Sequence, residues 1–231
     1  MKCKSAIGIL GGMGPEASGY MYKILIDLSI KYFKAKNNDD FPEIVLYSVP
    51  VPDFISNDKE KHKALKMLKE KVRALNRLNI LCLSLACNTA HMLLADLQSV
   101  SAIPFVSMID EVVSVVKKDK KKTIGILGTP MTLQIGFYQD RLAEHGIVSV
   151  MPHESDYTTI ERIIRNVISG KVTRQDKKLL LEMADELRER GAEGIILGCT
   201  ELPLVFPSKY KIPVYNSVEI LSLSLLRRYY Q

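Results

Sequence analysis

Two cysteines stand at matching places in this chain, each at the exit of an apolar run. "LSLACNTAH" (83–91) ends its run at Cys87, and "GIILGCTEL" (194–202) ends its run at Cys199. Small polar residues, which are uncommon in a core interior, follow each cysteine. A cysteine at a helix start has its thiolate stabilised by free backbone N–H groups and by the helix dipole. Both thiols could therefore act as acid or base at neutral pH.

Two opposed thiols suit one reaction in particular, the inversion of a carbon stereocentre. One thiolate would remove a proton from the carbon, and the opposed thiol would return a proton to the other face. Asn88, Thr89 and Thr200, with the free N–H groups at the helix starts, would hold a carboxylate and stabilise the developing enolate-like charge. No cofactor is needed for this chemistry.

The neighbouring titratable groups have plainer interpretations. His91 follows Cys87 by four residues, so we expect it one turn into a helix, as a support for the site or as a half-exposed side chain. Glu201 is interpreted as a first-turn acid favoured by the helix dipole. Cys82 and Cys3 are interpreted as small buried hydrophobic residues.

The chain also contains an internal repeat. "AIGILGGMGPEASGYMYKIL" (6–25) resembles "TIGILGTPMTLQIGFYQDRL" (123–142) at an offset of 117 residues. Superposing Cys87 on Cys199 requires an offset of 112 residues, which is nearly the same. Because each half presents a strand that ends in cysteine, the repeat favours a functional role for both thiols.

Short apolar strands alternate with amphipathic helices along both halves. "EIVLYSVPV" (43–51) predicts a strand, whereas 59–79 and 179–191 have helical spacing. The alternation predicts an α/β fold with parallel sheets covered by helices. We expect two similar lobes, residues 1–101 plus 212–231 and residues 102–211. Ligands of such sheets bind beyond the carboxyl ends of the strands, so lobes related by a pseudo-twofold axis would bring both cysteines to one cleft.

Composition and motifs weigh against several other functions. The glycines of "GILGGMGPE" do not make a dinucleotide fingerprint, so a tight turn with Pro15 opening a helix is preferred. Cysteines and histidines have no zinc-ligand spacing, and no run approaches the ~18 apolar residues of a membrane span. The net charge of +6 comes largely from lysine clusters, interpreted as solvated faces rather than as a nucleic-acid surface. With no signal-peptide pattern and free thiols, we expect a cytoplasmic protein.

Taken in order, "GILGGMGPEAS", "ACNTAH", "IPFVSMIDE", "GILGTPMT" and "GCTEL" resemble the aspartate/glutamate racemase superfamily, and most closely its cofactor-independent aspartate racemases. The resemblance runs from about residue 5 to the C-terminus. It implies two flavodoxin-like lobes, an active site in the cleft between them, a small amino-acid substrate and a homodimer. Cys87 and Cys199 would be the acid/base pair. The substrate-binding positions that it implies are Met13, Asp53, Asn88, Thr89, Thr129, Thr159 and Thr200.

The sequence departs from the family pattern at two positions. Many aspartate racemases have an arginine after the aspartate that matches Asp53, where this chain has Phe54. Relatives often have a lysine at the position of Thr159. Lys59, Lys61 and Arg162 are the nearest alternative cations in the sequence. Two other functions stay open: a decarboxylase or cis–trans isomerase of small carboxylic acids, and a non-catalytic binding protein of two lobes.

Overall fold

The computed structural model describes residues 5–52 and 59–231, which divide into two compact units. Unit 1 holds the described residues up to Met108 together with Val218–Gln231, and unit 2 holds Ile109–Ser217. The strands are β1 (Ala6–Gly11), β2 (Ile44–Ser48), β3 (Ile80–Leu85), β4 (Thr123–Gly128), β5 (Val148–Val150), β6 (Ile195–Gly198) and β7 (Val214–Asn216). The helices are α1 (Pro15–Phe33), α2 (Lys61–Leu75), α3 (Leu94–Gln98), α4 (Met108–Lys118), α5 (Pro130–Ile135), α6 (Phe137–Ala143), α7 (Tyr157–Ile168), α8 (Arg174–Glu189) and α9 (Ser217–Tyr230).

The sheet of unit 1 is parallel, with the strand order β2-β1-β3. A single parallel bridge between Leu83 and Phe105 adds a further extended segment beside β3. Side chains from α1, α9 and the strands form the core of this unit, with Met21, Leu25 and Leu221 at most 1% exposed. The sheet is therefore covered by helices that bury its apolar strands.

The sheet of unit 2 is also parallel, with the order β5-β4-β6-β7. An apolar cluster in this unit joins β6 to α7 and α8 and includes Ile160, Leu180 and Ile195, all fully buried. β7 follows Ile212-Pro213, just as the bridge residue Phe105 follows Ile103-Pro104. The internal repeat of the sequence thus corresponds to one strand arrangement that occurs twice. The predicted fold class, α/β with two parallel sheets, is confirmed.

Two helices differ from their predicted bounds. The helix expected over 59–79 ends at Leu75, so Leu78 falls outside it and is 47% exposed. The helix expected over 179–191 begins earlier, at Arg174, because Thr173 and Asp176 form a reciprocal capping box. Within α8 the capping acid Asp176 is buried together with the apolar face of the helix.

Candidate functional site

Cys87 lies at the carboxyl edge of the unit 1 sheet. β3 pairs with β1 in a register that sets Leu85 beside Leu10, and the N–H of Ala86 donates to the Leu10 carbonyl at 2.9 Å. Cys87 comes next and is 7% exposed. Because β1 ends at the same edge, the glycine loop that follows β1 belongs to the same end of the sheet as this thiol.

The glycine loop is held in one conformation by close contact with Val49 and by the Ser18 hydroxyl. Gly12 has a φ of +88°, and a Cβ atom there would lie 2.4 Å from the backbone nitrogen of Val49, so no other residue fits. Its N–H donates to the Ser18 hydroxyl at 2.8 Å, and that hydroxyl donates to the Gly14 carbonyl at 3.0 Å. Met13 is the partly exposed side chain of this turn.

Short helices follow the two cysteines. A 3₁₀ helix of Thr89–Leu93 follows Cys87 and leads into the short α3, and a 3₁₀ helix of Leu202–Leu204 follows Cys199. Stabilisation of each thiolate by a helix dipole stays a prediction, and short helices carry few aligned peptide dipoles to supply it. Nearby N–H groups and side chains are expected to supply the rest.

His91 binds two backbone groups and serves to hold the Cys87 turn in place. Its Nε2 accepts a hydrogen bond from the Met108 N–H at 2.9 Å, so its Nδ1 carries the proton and donates to the Cys87 carbonyl at 2.9 Å. The ring is 7% exposed. With both nitrogens engaged, the neutral imidazole fixes the turn that carries the thiol. Of the two roles left open by the sequence, the support role fits this geometry.

Cys199 lies at the carboxyl edge of the unit 2 sheet, next to a helix cap. β4 and β6 pair up to Gly128 and Gly198, so the following residues, Thr129 and Cys199, leave the sheet side by side. The Thr129 hydroxyl accepts the Thr132 N–H at 3.0 Å and donates to the Thr132 hydroxyl at 2.9 Å. Thr129 is thus the N-cap of α5.

Glu201 contacts the Cys199 thiol directly. Its side chain is 3% exposed, and its Oε2 accepts hydrogen bonds from Cys199 Sγ at 3.1 Å and from the Thr200 hydroxyl at 3.0 Å. The sequence predicted a first-turn acid favoured by the helix dipole, and the structure adds that this carboxylate turns inward to the thiol. Sequence reasoning missed this role, although Glu201 stands inside the quoted motif only two residues from the cysteine.

Tyr138 is a second neighbour of Cys199 that the sequence did not single out. Its fully buried ring lies on Gly198, where a Cβ atom would come within 3.1 Å of the ring. Burial raises the pKa of the Tyr138 phenol, a hydrogen bond with Ser217 opposes that rise, and the nearby Cys199 adds to it. Ser217 in turn donates to the Leu197 carbonyl at 2.8 Å. The phenol therefore stays neutral and anchors the end of β6.

The structure collects most of the predicted site residues at two sheet edges. Those of unit 1 are Met13, Cys87, Asn88 and Thr89, and those of unit 2 are Thr129, Cys199 and Thr200. Thr159 is half-buried in the first turn of α7, a helix that packs against the 3₁₀ turn Leu202–Leu204. Asp53 and Phe54 lie outside the described residues.

Arg162, one of the alternative cations, is bound by a buried acid. Its guanidinium pairs with Asp176 at 2.5 Å, and the side chain of Asp176 is 0% exposed. Asn166 and Thr173 donate to the other oxygen of the same carboxylate at 3.0 and 2.8 Å. The positive charge of Arg162 is therefore used to balance an internal carboxylate.

The described part of the chain offers neither a metal-binding cluster nor a membrane-spanning helix. Residues 5–52 and 59–231 hold no group of three or more His, Cys, Asp or Glu side chains that could bind a metal ion. None of the helices in those ranges has both the length and the apolar character needed to cross a bilayer.

The protein has two parallel β-sheets covered by helices, and a buried cysteine follows the carboxyl edge of each sheet. This arrangement agrees with the two-lobed fold of amino-acid racemases. The family model of Asp/Glu/Hydantoin racemases matches residues 10–223, and the chain belongs to that family. The predicted superfamily and the predicted enzyme class, an isomerase of the amino-acid racemase type, are both confirmed.

Individual relatives span nearly the whole chain. A broad specificity amino-acid racemase, RacX, of Bacillus subtilis (strain 168) is 26% identical over 224 residues, covering 96% of this chain and 97% of the relative. The aspartate racemase of Picrophilus torridus superposes with a TM-score of 0.86 at 28% identity, covering 97% of this chain and 94% of its own. An aspartate racemase homologue from Pyrococcus horikoshii OT3 superposes with a TM-score of 0.82 at 29% identity, covering 98% and 100% of the two chains.

Proposed function

We propose that this protein interconverts the enantiomers of an amino acid without a cofactor, with Cys87 and Cys199 as the two acid/base groups. The observation that carries the proposal is the equivalent placement of the two thiols. Each follows the strand that pairs with the first strand of its sheet, and each is buried and followed by a hydroxyl or amide side chain. Family membership supports the same reaction class.

In the proposed reaction both thiols act on the substrate Cα. One cysteine, as thiolate, takes the Cα proton and leaves the electron pair on the carbon, where the carboxylate delocalises it. The other cysteine, as thiol, donates its proton to the opposite face, and its bonding electrons stay on sulfur. Cα is inverted, and the two cysteines have exchanged protonation states. Thiols suit such work because their reference pKa of about 8.5 lies close to neutral pH.

The remaining site residues are proposed to bind the substrate. Asn88, Thr89 and Thr200 would hold the α-carboxylate with hydroxyl, amide and backbone donors, which also stabilise negative charge as it develops. Met13 and Thr129 would line the site beside the cysteines of their own units. Asp53 and Thr159 stay in this proposal on the resemblance to the family alone.

For the substrate, we propose broad acceptance that includes aspartate. The aspartate racemase of P. torridus supports aspartate, and the broad specificity of the B. subtilis relative supports a wider range. The pairing of Arg162 with Asp176 favours the wider range, since this guanidinium already balances an internal carboxylate. If the distal carboxylate of a bound aspartate stays solvated, binding it costs little free energy but also gives little selectivity for aspartate.

Incubation of single enantiomers in deuterium oxide tests the reaction class. A racemase introduces deuterium at Cα and yields both enantiomers, a decarboxylase releases carbon dioxide, and a binding protein does neither. Comparison of kcat/KM for aspartate, glutamate, asparagine, serine, alanine and methionine then tests the substrate range. A neutral amino acid that exceeds aspartate by tenfold or more rules out aspartate as the main substrate. Aspartate exceeding all neutral ones by more than a hundredfold rules out broad acceptance.

The proposal for assembly comes from the resemblance, and the proposal for location comes from the free thiols and the lack of a signal-peptide pattern. We propose a homodimer that works in the cytoplasm and takes a small molecule as its partner, with no nucleic acid or membrane involved. Sedimentation or light scattering tests the first point, and fractionation of the source cells tests the second.

A further inference from the structure

The structure places a buried carboxylate beside the Cys199 thiol. Glu201 Oε2 lies 3.1 Å from Cys199 Sγ, and the thiol is the donor in that contact. Both side chains are at most 4% exposed. Because the Thr200 hydroxyl donates to the same oxygen at 3.0 Å, Oε2 acts as an acceptor towards two neighbours.

We propose that Glu201 is a positioning residue that holds Cys199 in its protonated form, so that Cys199 is the proton donor of the resting enzyme. A thiolate at this distance from a carboxylate would place two negative charges side by side in a site shielded from water, which disfavours loss of the proton. The hydrogen bond also aims the S–H group, because it fixes the rotamer of Cys199. The role of Cys199 as proton donor rests on the proposed racemase function. Its protonation state does not, since that follows from the nearby carboxylate.

A second titratable group near Cys199 does not change this conclusion. The phenol of Tyr138 is fully buried, and burial raises its pKa, so it contributes no charge at neutral pH. It therefore offers neither the positive charge that would stabilise a thiolate nor a negative charge that could take over from Glu201.

The proton balance of the step follows from this arrangement. When the carbanion takes the proton, the S–H bond of Cys199 breaks, the new C–H bond forms at Cα, and the electron pair stays on sulfur. The thiolate then faces the Glu201 carboxylate across the same short distance. Since this state is repulsive, uptake of a proton, from solvent or from the opposite thiol, returns Cys199 to its starting form.

Thiol labelling of the full chain without substrate tests the inference. Iodoacetamide reacts with the thiolate, so the labelling rate of each cysteine, measured by peptide mass spectrometry, reports its protonation. Glu201→Gln keeps the size and an acceptor oxygen but removes the charge. We expect it to raise the labelling rate of Cys199 at pH 7.5 by at least tenfold, with the rate of Cys87 unchanged. Near pH 10, where the thiol ionises in either protein, we expect the native and variant rates to converge.

One control separates the effect of charge from that of loosened packing beside Cys199, and a second reports on the other unit. Thr200→Val removes the other donor to Glu201 but keeps the carboxylate, so we expect the labelling rate of Cys199 to change by less than twofold. Buried Cys82, whose pKa burial raises to about 11, is expected to stay slow in every variant and so reports the integrity of unit 1.

An unchanged Cys199 rate in Glu201→Gln overturns the inference. So does a rise of equal size at pH 7.5 and pH 10, because that would mean greater access rather than easier ionisation. The outcome is independent of turnover. If the native protein racemises no amino acid, the proposed function fails while the labelling result stands. If it racemises an amino acid but Glu201→Gln does not change the labelling rate, the inference about Glu201 fails while the proposed function stands.

Discussion

Arg162→Met separates a structural role for this arginine from a role in substrate binding. The variant keeps a long apolar side chain but loses the guanidinium that pairs with Asp176. The Arg162 side chain is half-exposed, whereas the Asp176 side chain is fully buried. The variant therefore leaves the buried Asp176 carboxylate without its charged partner. The remaining donors to that carboxylate are the Thr173 N–H and hydroxyl and the Asn166 amide.

The expected magnitude follows from the bond that is lost. A hydrogen bond to a charged group contributes about 2 kcal/mol. For a chain of this size that corresponds to a fall in Tm of roughly 4–8 °C. We expect kcat/KM for aspartate to stay within twofold of the native value when it is measured well below the melting temperature. Calorimetry and an aspartate racemisation assay provide the two measurements.

The matched variant Asp176→Asn adds a pH signature. Burial opposes ionisation of Asp176, but hydrogen bonds from Thr173, Asn166 and Arg162 outweigh it and lower the pKa from 3.8 to about 2. A carboxyl with a lowered pKa stabilises the fold above its unfolded pKa, and this contribution is lost as the pH falls through the folded value. The native protein is therefore expected to lose stability between about pH 4 and pH 2 more steeply than Asp176→Asn does.

One result would refute the structural role of Arg162. If Arg162→Met lowers kcat/KM for aspartate by tenfold or more, leaves alanine unaffected and does not change Tm, the guanidinium serves the distal carboxylate of the substrate. Arg162 would then take over the function of the arginine that many aspartate racemases carry where this chain has Phe54.

Three further predictions concern the thiols, their support and assembly. Cys87→Ser and Cys199→Ser are each expected to abolish racemisation with the fold intact, because a serine hydroxyl does not ionise near neutral pH. The control Cys82→Ser is expected to keep most activity. Near-normal turnover in Cys87→Ser or Cys199→Ser contradicts the two-thiol mechanism. Tyr138→Phe is expected to lower stability by about 1 kcal/mol through loss of its hydrogen bond with Ser217, measured by urea unfolding, and no change in the midpoint would show that this bond is not needed. Light scattering is expected to give twice the chain mass of 26.0 kDa, and a mass near that of one chain would reject the dimer.

The secondary structure was largely predictable because it depends on local patterns. Apolar runs before Cys87 and Cys199 became β3 and β6, and the helical spacing of 59–79 and 179–191 became α2 and α8. Errors arose at element ends. The start of α8 was missed because a capping box depends on two polar side chains, Thr173 and Asp176, that carry no apolar signal.

The candidate site was predictable in part, through the repeat. Superposing the two halves singled out the two cysteines and the small polar residues after them, which lie at equivalent sheet edges. The length of the helices that follow was not predictable in the same way. Each begins as a short 3₁₀ turn, and the contacts around each cysteine, such as those of His91 and Glu201, were visible only in the structure.

By itself, the sequence determined the fold class, the doubled strand arrangement and the pair of cysteines, because periodicity and repetition are properties of the chain order. Only the tertiary structure decided which side chains contact which. His91 binds the N–H of Met108 seventeen residues away, Tyr138 lies on Gly198, and Glu201 turns inward to the Cys199 thiol. The physical reason is that hydrogen bonds and close contacts depend on the direction of a side chain and on the packing around it, and neither is encoded in the spacing of residue types.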